Sequence, residues 1–272
     1  MILKEIVELL ENKLSPKQFR LELEPYGLQY GNHNTEKVIK KVIITSDLSL
    51  EAIQYTIKKK IGLIIALRGL INSPINRFNQ TLINKLTILT EYPVSLFILS
   101  FPYVATEEGV SETLANALYL QMNTIFNIKN QFGEDIPIGR ICTPKLYPTQ
   151  SNPFKLSDLI TRVKSILNLP YIPYIGTLGQ KIDKICVIGK ESLNTQIIEN
   201  VLQQECDCLV IGKLPYIEAV NARDARLHVI EIPMFFIEVI ALKKMRNFLS
   251  LEFPSVEFVW FDSKNPFSYD IQ

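Results

Sequence analysis

The sequence predicts an α/β fold made of two similar α/β domains related by duplication. Three observations carry that expectation. Residues 41–70, KVIITSDLSLEAIQYTIKKKIGLIIALRGL, alternate a short β-branched run, a helical pattern and a second apolar run. Residues 184–212 repeat the order, with Ser192-Leu193 in the place of Ser49-Leu50, and a helix, a strand and a helix follow each block. The continuous apolar run 63–67 is the signature of a strand covered on both faces, as parallel sheets require.

Within the first block, residues 42–45 form the opening strand. Ser49 is a natural N-cap, since its hydroxyl accepts from a free amide of the first turn. Glu51 lies near the positive end of the helix and Lys58, Lys59 and Lys60 near its negative end. Leu50, Ile53 and Ile57 mark one face, and Gly62 is expected to let the chain leave the helix.

Before this block, residues 1–12 read as an amphipathic helix, Ser15-Pro16 as the start of a weaker one, and residues 24–31 as a glycine-containing loop. After it come a helix near 77–91, a strand at 94–99 and a long helix from about 110 to 128, marked by Leu114, Leu118, Gln121, Met122 and Ile125 at helical spacing. Residues 129–179 hold six of the fifteen prolines, with one helix at 156–168, and read as the inter-domain region. The domains are therefore expected at 1–128 and 129–272. The second block follows, with Ser192 as N-cap, a helix at 195–204 and a strand at 207–212. A helix from about Pro215, a strand at 227–232, a helix at 235–249 and a final strand at 256–261 complete the chain.

Composition narrows the function classes. Hydrophobic residues make up 47% and charged residues 21%, which is globular. A net charge of +1 without a basic run gives no footprint for nucleic acid. No apolar run approaches the roughly 18 residues of a membrane span, and the charged start MILKEIVELLENK does not read as a signal peptide. Cys142, Cys186, Cys206 and Cys208 are expected as reduced, buried thiols of a cytoplasmic protein. Cys206-x-Cys208 lacks the second pair that a zinc site needs. The turn Gly189-Lys190 before Ser192 is a weak anion-binding candidate.

Open α/β sheets bind ligands at the carboxyl ends of their strands. Those positions are Leu67-Arg68-Gly69, Ser100 to Val104, Gly212-Lys213, and Pro233 to Glu238, and they are nearly devoid of catalytic residue types. Of the two histidines, His228 falls in a strand run and reads as a core or edge residue, and His33 in the polar loop Gly31-Asn-His-Asn reads as solvated.

The order of several short motifs resembles the Nif-three-like, or YbgI-like, dinuclear metal-centre family, whose members are described as GTP cyclohydrolase type homologues. Tyr26-Gly-Leu-Gln-Tyr-Gly31 is similar to its glycine-leucine-x-x-glycine loop, and Ile44-Thr-Ser-Asp47 to its first strand and acidic residue. Leu96 to Leu120, containing Glu108-Gly-Val-Ser-Glu-Thr-Leu-Ala-Asn, resembles its glycine-valine-asparagine-acid segment. Ile138-Gly-Arg-Ile141 and Asn265-Pro-Phe267 resemble its mid-chain motif and its ending. The resemblance implies a two-domain Nif-three-like fold, two divalent metal ions and a ring-shaped homo-hexamer.

The resemblance also implies a ligand set that is largely replaced here. Leu67, Arg68 and Gly69 stand where a His-His-Pro triplet is expected, Ser100 and Val104 where a His and an Asp are expected, and Met234 where a His precedes the retained Glu238. Leu and Val cannot coordinate an ion, Met is soft, and Arg68 is permanently cationic. The expectation is thus a member without cofactor or metal, not an enzyme, acting as an assembly or interaction module. The alternative is a metal-dependent hydrolase of cyclic C–N bonds acting on a nucleotide-like substrate. A third option is an anion site using Arg68 and Lys213. Arg68 is further expected to occupy the former metal position and pair with Glu238. A homo-oligomer is expected, because the helix from Phe235 and the strand from Val94 carry more apolar surface than a monomer needs to hide.

Overall fold

Two sheets, each with three parallel strands at its centre, organise the chain. The computed structural model describes residues 1–21, 24–31, 35–130, 132–147, 153–169, 171–193 and 196–268. His33 lies outside them. The chain forms two compact units, one built on Met1–Thr106 with Ala241–Pro266 and the other on Glu107–Ile240. The division expected between 128 and 129 is corrected on two counts. The first unit ends after Thr106, and it regains the chain's late segment, whose last strand joins the first sheet.

In the first unit, α1 (Leu3–Leu9) continues into a π-turn at Leu10–Leu14 and buries Leu3, Ile6, Leu10 and Leu14. The second helix expected from Ser15 is only a 3₁₀ turn at Lys17–Phe19. The segment expected as a glycine loop forms a strand, β1 (Gly27–Tyr30). Then follow β2 (Lys41–Thr45), α2 (Leu50–Lys58), β3 (Leu63–Ala66), α3 (Gln80–Thr90), β4 (Ser95–Ile98) and the short α4 (Pro102–Ala105). A last strand, β11 (Glu257–Trp260), comes from the far end of the chain. The sheet order is β1-β4-β3-β2-β11, with β1 antiparallel at one edge.

The local chemistry of α2 matches its sequence at the start. Ser49 Oγ accepts from the Ala52 amide at 3.2 Å, and Asp47 Oδ1 accepts from the Ser49 amide at 2.9 Å. The exit differs from expectation. Lys60, not Gly62, takes the left-handed conformation (φ 52°), and the Ile61 amide reaches back to the Thr56 carbonyl. This six-to-one closure buries Ile61 completely against the core. The core itself joins Ile43, Ile53, Ile64, Leu89, Leu96 and Ile98, and Leu63 to Leu67 are all buried, as a doubly covered strand demands.

The second unit contains α5 (Val110–Ala117), β5 (Leu120–Lys129), β6 (Asp135–Pro144), α6 (Leu156–Leu167), β7 (Tyr174–Ile175), β8 (Ile185–Glu191), α7 (Ile197–Gln203), β9 (Cys208–Lys213), α8 (Tyr216–Asp224) and β10 (His228–Glu231). The helix α9 (Met234–Glu252) begins there. Its sheet runs β5-β6-β8-β9-β10-β7. The parallel set β8-β9-β10 with antiparallel β7 on β10 repeats β2-β3-β4 with antiparallel β1 on β4. The duplication therefore extends beyond the strand–helix–strand block to include the edge strand of each sheet.

Two expectations fail in this unit. The long helix from 110 ends at Ala117, Tyr119 turns left-handed (φ 53°), and residues 120–129 become a strand. The β-branched and aromatic run Thr124-Ile-Phe-Asn-Ile prevails over helical spacing there, with Phe126 and Ile128 buried at period two. The supposed linker also holds β6, a central strand paired with β5 and β8. Pro137 escapes the ladder because it falls at an irregularity, with β8 pairing only Gly139 to Cys142. Ser192 is not a cap: Gln196 precedes α7 without a side-chain bond, and Ser192 Oγ donates to the buried Glu218 carboxylate instead.

A single arginine ties several loops of this unit together. Arg162, buried on α6, donates to the carbonyls of Leu118, Tyr119 and Lys145 at 2.9–3.0 Å. Its guanidinium lies 4.6 Å from the Tyr147 ring and 4.8 Å from the Phe154 ring. Arg162→Met is expected to strand one buried and two part-buried acceptors and to lower unfolding stability by about 3 kcal/mol. A urea titration would read this as a lower midpoint with an unchanged slope; an unchanged midpoint would show that the guanidinium is dispensable.

Candidate functional site

Parallel strands bring their carboxyl ends to one edge, so each unit has its own row of strand-end residues. In the first unit, Leu67 and Arg68 follow β3 and Ser100 follows β4. The rows are locked by backbone bonds: Leu67 N–H to Thr45 O, Arg68 N–H to Ser46 O, and Ser100 N–H to Leu67 O. The structure thus brings Leu67, Arg68, Ser100 and Val104 to the same sheet edge. Leu67 is 6% exposed and Val104, on α4, 4% exposed. Both side chains are spent on packing.

Ser100 has a strained backbone, with φ 53°, a conformation that disfavours side chains bearing a Cβ. Its hydroxyl donates to Glu24 Oε2 at 2.9 Å, and the same oxygen accepts from the Phe101 amide at 3.3 Å. Glu24 therefore clamps the β4–α4 corner. Sequence reasoning passed over Glu24; no local pattern marks it, because its partners lie 76 and 77 residues away. Beside it, Tyr26 donates to the Ser15 carbonyl, and Ser15 Oγ donates to the Leu99 carbonyl at 2.6 Å. Burial, reinforced by nearby Glu11, pushes the Tyr26 phenol up to about 12.

In the second unit, Lys213 ends β9 and is exposed, while its carbonyl accepts from the Ser192 amide. Met234 opens α9, and its sulfur fills the space above Gly212: a Cβ on that glycine would lie 2.1 Å from it. Glu238, one turn into α9, is only 2% exposed. Arg68 belongs to the first unit, and Lys213 and Glu238 to the second. Both Arg68 and Glu238 are engaged by partners. Gly189, in the candidate anion turn, is pressed against α5: its Cβ position lies 2.8 Å from Val110 Cγ1, and its amide donates to Ser111 Oγ. That amide is occupied, so the turn offers no cradle there.

Chemically, the strand ends offer shape and hydrophobic contact. Two divalent ions would require several imidazoles or carboxylates converging at about 2.0–2.2 Å. Among the described residues, no group of three or more His, Cys, Asp or Glu side chains is placed to hold an ion. The side chains at the strand ends named above do not fit a dinuclear centre.

The cysteines are also accounted for by packing. Cys142, Cys186 and Cys208 lie on β6, β8 and β9, and all four thiols are free and buried. Cys206 lies in the turn before β9, where its amide closes α7 onto Val201 O. Burial pushes Cys142 up to about 12 and Cys206 to about 11, and raises Cys186 and Cys208 as well.

No helix among the described residues is long and apolar enough to cross a membrane. A two-unit, duplicated α/β protein with strand-end rows facing one edge of each sheet is the class these features define. The chain matches the family described as Duf34/NIF3 (NGG1p interacting factor 3) over residues 1–266, and it belongs to that family. A Methanocaldococcus jannaschii protein named GTP cyclohydrolase 1 type 2 homolog is 27% identical over 260 residues, covering 94% of this chain and 99% of the relative. A Clostridium perfringens protein of the same name is 22% identical over 273 residues, covering 99% and 100%. Among solved structures, reduced HcgD from M. jannaschii superposes with TM-score 0.79 at 24% identity over 96% of this chain and 98% of that one. A Staphylococcus aureus hypothetical protein does so with TM-score 0.83 at 18% identity over 99% of both. The Nif-three-like fold expected from the motifs is the fold observed.

The thiol environment makes a direct prediction. A thiol with pKa about 11 is almost wholly protonated at pH 8, and the thiolate is the reactive form. A disulfide reagent at pH 8 is expected to modify none of the four cysteines within minutes in the native protein and all four in denaturant. Rapid native modification of Cys206 would contradict the burial account.

Proposed function

We propose that this chain is a member of its family that has set aside dinuclear metal chemistry and works as a non-catalytic assembly or interaction module. The observation that supports this best is the use of Leu67 and Val104 as buried packing residues at the strand ends. Positions that must reach an ion with donor atoms are committed to hydrocarbon contact instead. Leu67, Arg68, Ser100 and Val104 in the first unit, and Met234 and Glu238 in the second, then stand at vestigial ligand positions, and no cofactor is required.

A second feature favours an interaction role. The segment after β3 exposes apolar side chains in close succession: Ile71, Ile75 and Phe78, followed by Ile83 on α3. Phe78 is 62% exposed. Clustered apolar exposure of this kind marks contact surfaces. The strand from Val94 cannot serve, contrary to the sequence expectation, because Val94 and residues 95–98 are buried within their own unit. The self-association expected of the chain is assigned to the segment 71–83 in place of that strand, beside the helix from Phe235, where Phe235 and Phe236 are half-buried.

Two measurements test the reading. Native mass spectrometry is expected to show a homo-oligomer that Phe78→Glu dissociates while leaving circular dichroism unchanged; a monomeric wild-type chain would count against it. Turnover of GTP in the presence of zinc, manganese or iron would replace it with the hydrolase alternative.

A further inference from the structure

The second unit has a cavity of about 580 Å³ at the amino edge of its sheet, the edge opposite the strand ends discussed above. Gly176, Thr177 and Gln180 line it from the segment after β7, Arg223 and Arg226 from the end of α8, and His228 from the first position of β10. Its polar side chains are a hydroxyl, an amide, an imidazole and two guanidiniums, and no carboxylate lines it. Asp224 bonds Arg223 Nε at 3.2 Å, leaving the outer fork of that guanidinium to other acceptors.

Two details of the backbone build this arrangement. Arg226 takes φ 60° as the left-handed residue closing α8, with the Leu227 amide bonded to Ala222 O and Leu227 buried beneath. Gly176 takes φ 118°, and a Cβ there would fall 2.0 Å from His228 Nδ1. Only glycine permits the imidazole to sit where it does. His228 Nδ1 is buried with no hydrogen-bond partner among the described residues. A buried polar atom without a partner costs about 1–3 kcal/mol, so this nitrogen is held in place by the packing against Gly176 at a cost.

A helix C-terminus attracts cations, and this explains the presence of an arginine at the end of α8. It does not explain why donors from three separate segments converge on one cavity, nor why a glycine is kept to admit an imidazole. We propose that this cavity binds the phosphate group of a small phosphorylated metabolite. Planar guanidiniums match phosphate oxygens two at a time, the Thr177 hydroxyl and Gln180 amide supply neutral donors, the His228 imidazole adds a polar wall, and the volume suits a metabolite-sized ligand. This inference does not rest on the reading of the strand ends; it stands on residues of the second unit alone.

Isothermal titration of the full chain at constant ionic strength tests it, with glycerol 3-phosphate, AMP and inorganic phosphate as probes. The expected result is one saturable site per chain for a phosphomonoester, weakened about tenfold or more by Arg223→Gln and by Arg226→Asn. Asn tolerates the left-handed conformation, and unchanged urea midpoints for both variants would confirm that they fold. Arg246→Gln, at a half-buried arginine of the other unit, is expected to leave affinity unchanged. Absence of saturable binding, wild-type affinity in both cavity variants, or an equal loss in the Arg246 control would overturn the proposal. Binding of inorganic phosphate more tightly than both phosphomonoesters would overturn the metabolite assignment and give the cavity to the free ion.

Discussion

Parallel strands buried on both faces leave little freedom to the residues around them. Val42, Ile43 and Ile44 in β2 and Ile185 to Ile188 in β8 are fully buried, so each central strand must be covered by a helix on either side. The crossover between neighbouring parallel strands then has to pass over a face, which fixes α2 and α7 and aligns the carboxyl ends of the parallel strands on one edge. At about 25 cal/mol per Å² of apolar area, this burial is the dominant favourable contribution in each unit. The strand-end residues inherit their positions from it, with the ladder bonds of Leu67 and Ser100 as the local fasteners.

That inheritance lets the side chain at a strand end vary while the frame stays. Leu67 and Val104 are placed by backbone bonds, and their buried side chains add apolar contact. Ser100 shows the same logic with a polar residue: its strained backbone is held by Glu24, and the hydroxyl is used inward. Glu238 is the exception, a carboxylate kept 2% exposed and engaged. A buried charge of this kind persists only with compensation.

Much of the frame was legible in the sequence, for reasons that differ by element. Ser49 announced α2 because its hydroxyl does at the helix start what no neighbouring side chain can. The ends of α6 and α7 fell within one residue of expectation, but how the helices close was illegible. Lys60, Asn168, Glu205 and Arg226 all close helices in the left-handed conformation, and none is the glycine that usually marks such an end. What selects these closures is the apolar residue that follows, Ile61, Leu169, Cys206 or Leu227, each buried. Residues 120–129 were misread because Leu114, Leu118, Met122 and Ile125 satisfy a helical period while the partner strand β6 lies in a proline-rich stretch. The return of β11 to the first sheet was invisible, since nothing local in Glu257–Trp260 names β2 as its partner. The strand-end positions were readable through motif order. Glu24 and the Gly176–His228 arrangement were not, because both depend on contacts distant in sequence.

The central claim is that strand-end residues committed to packing leave no dinuclear centre. Elemental analysis tests it most directly, on protein purified without chelator and without a histidine tag, so that neither removes nor adds metal. The account predicts zinc, manganese and iron each far below one ion per chain. About two ions per chain, retained through gel filtration, would contradict it and return the chain to the metal-dependent branch of its family.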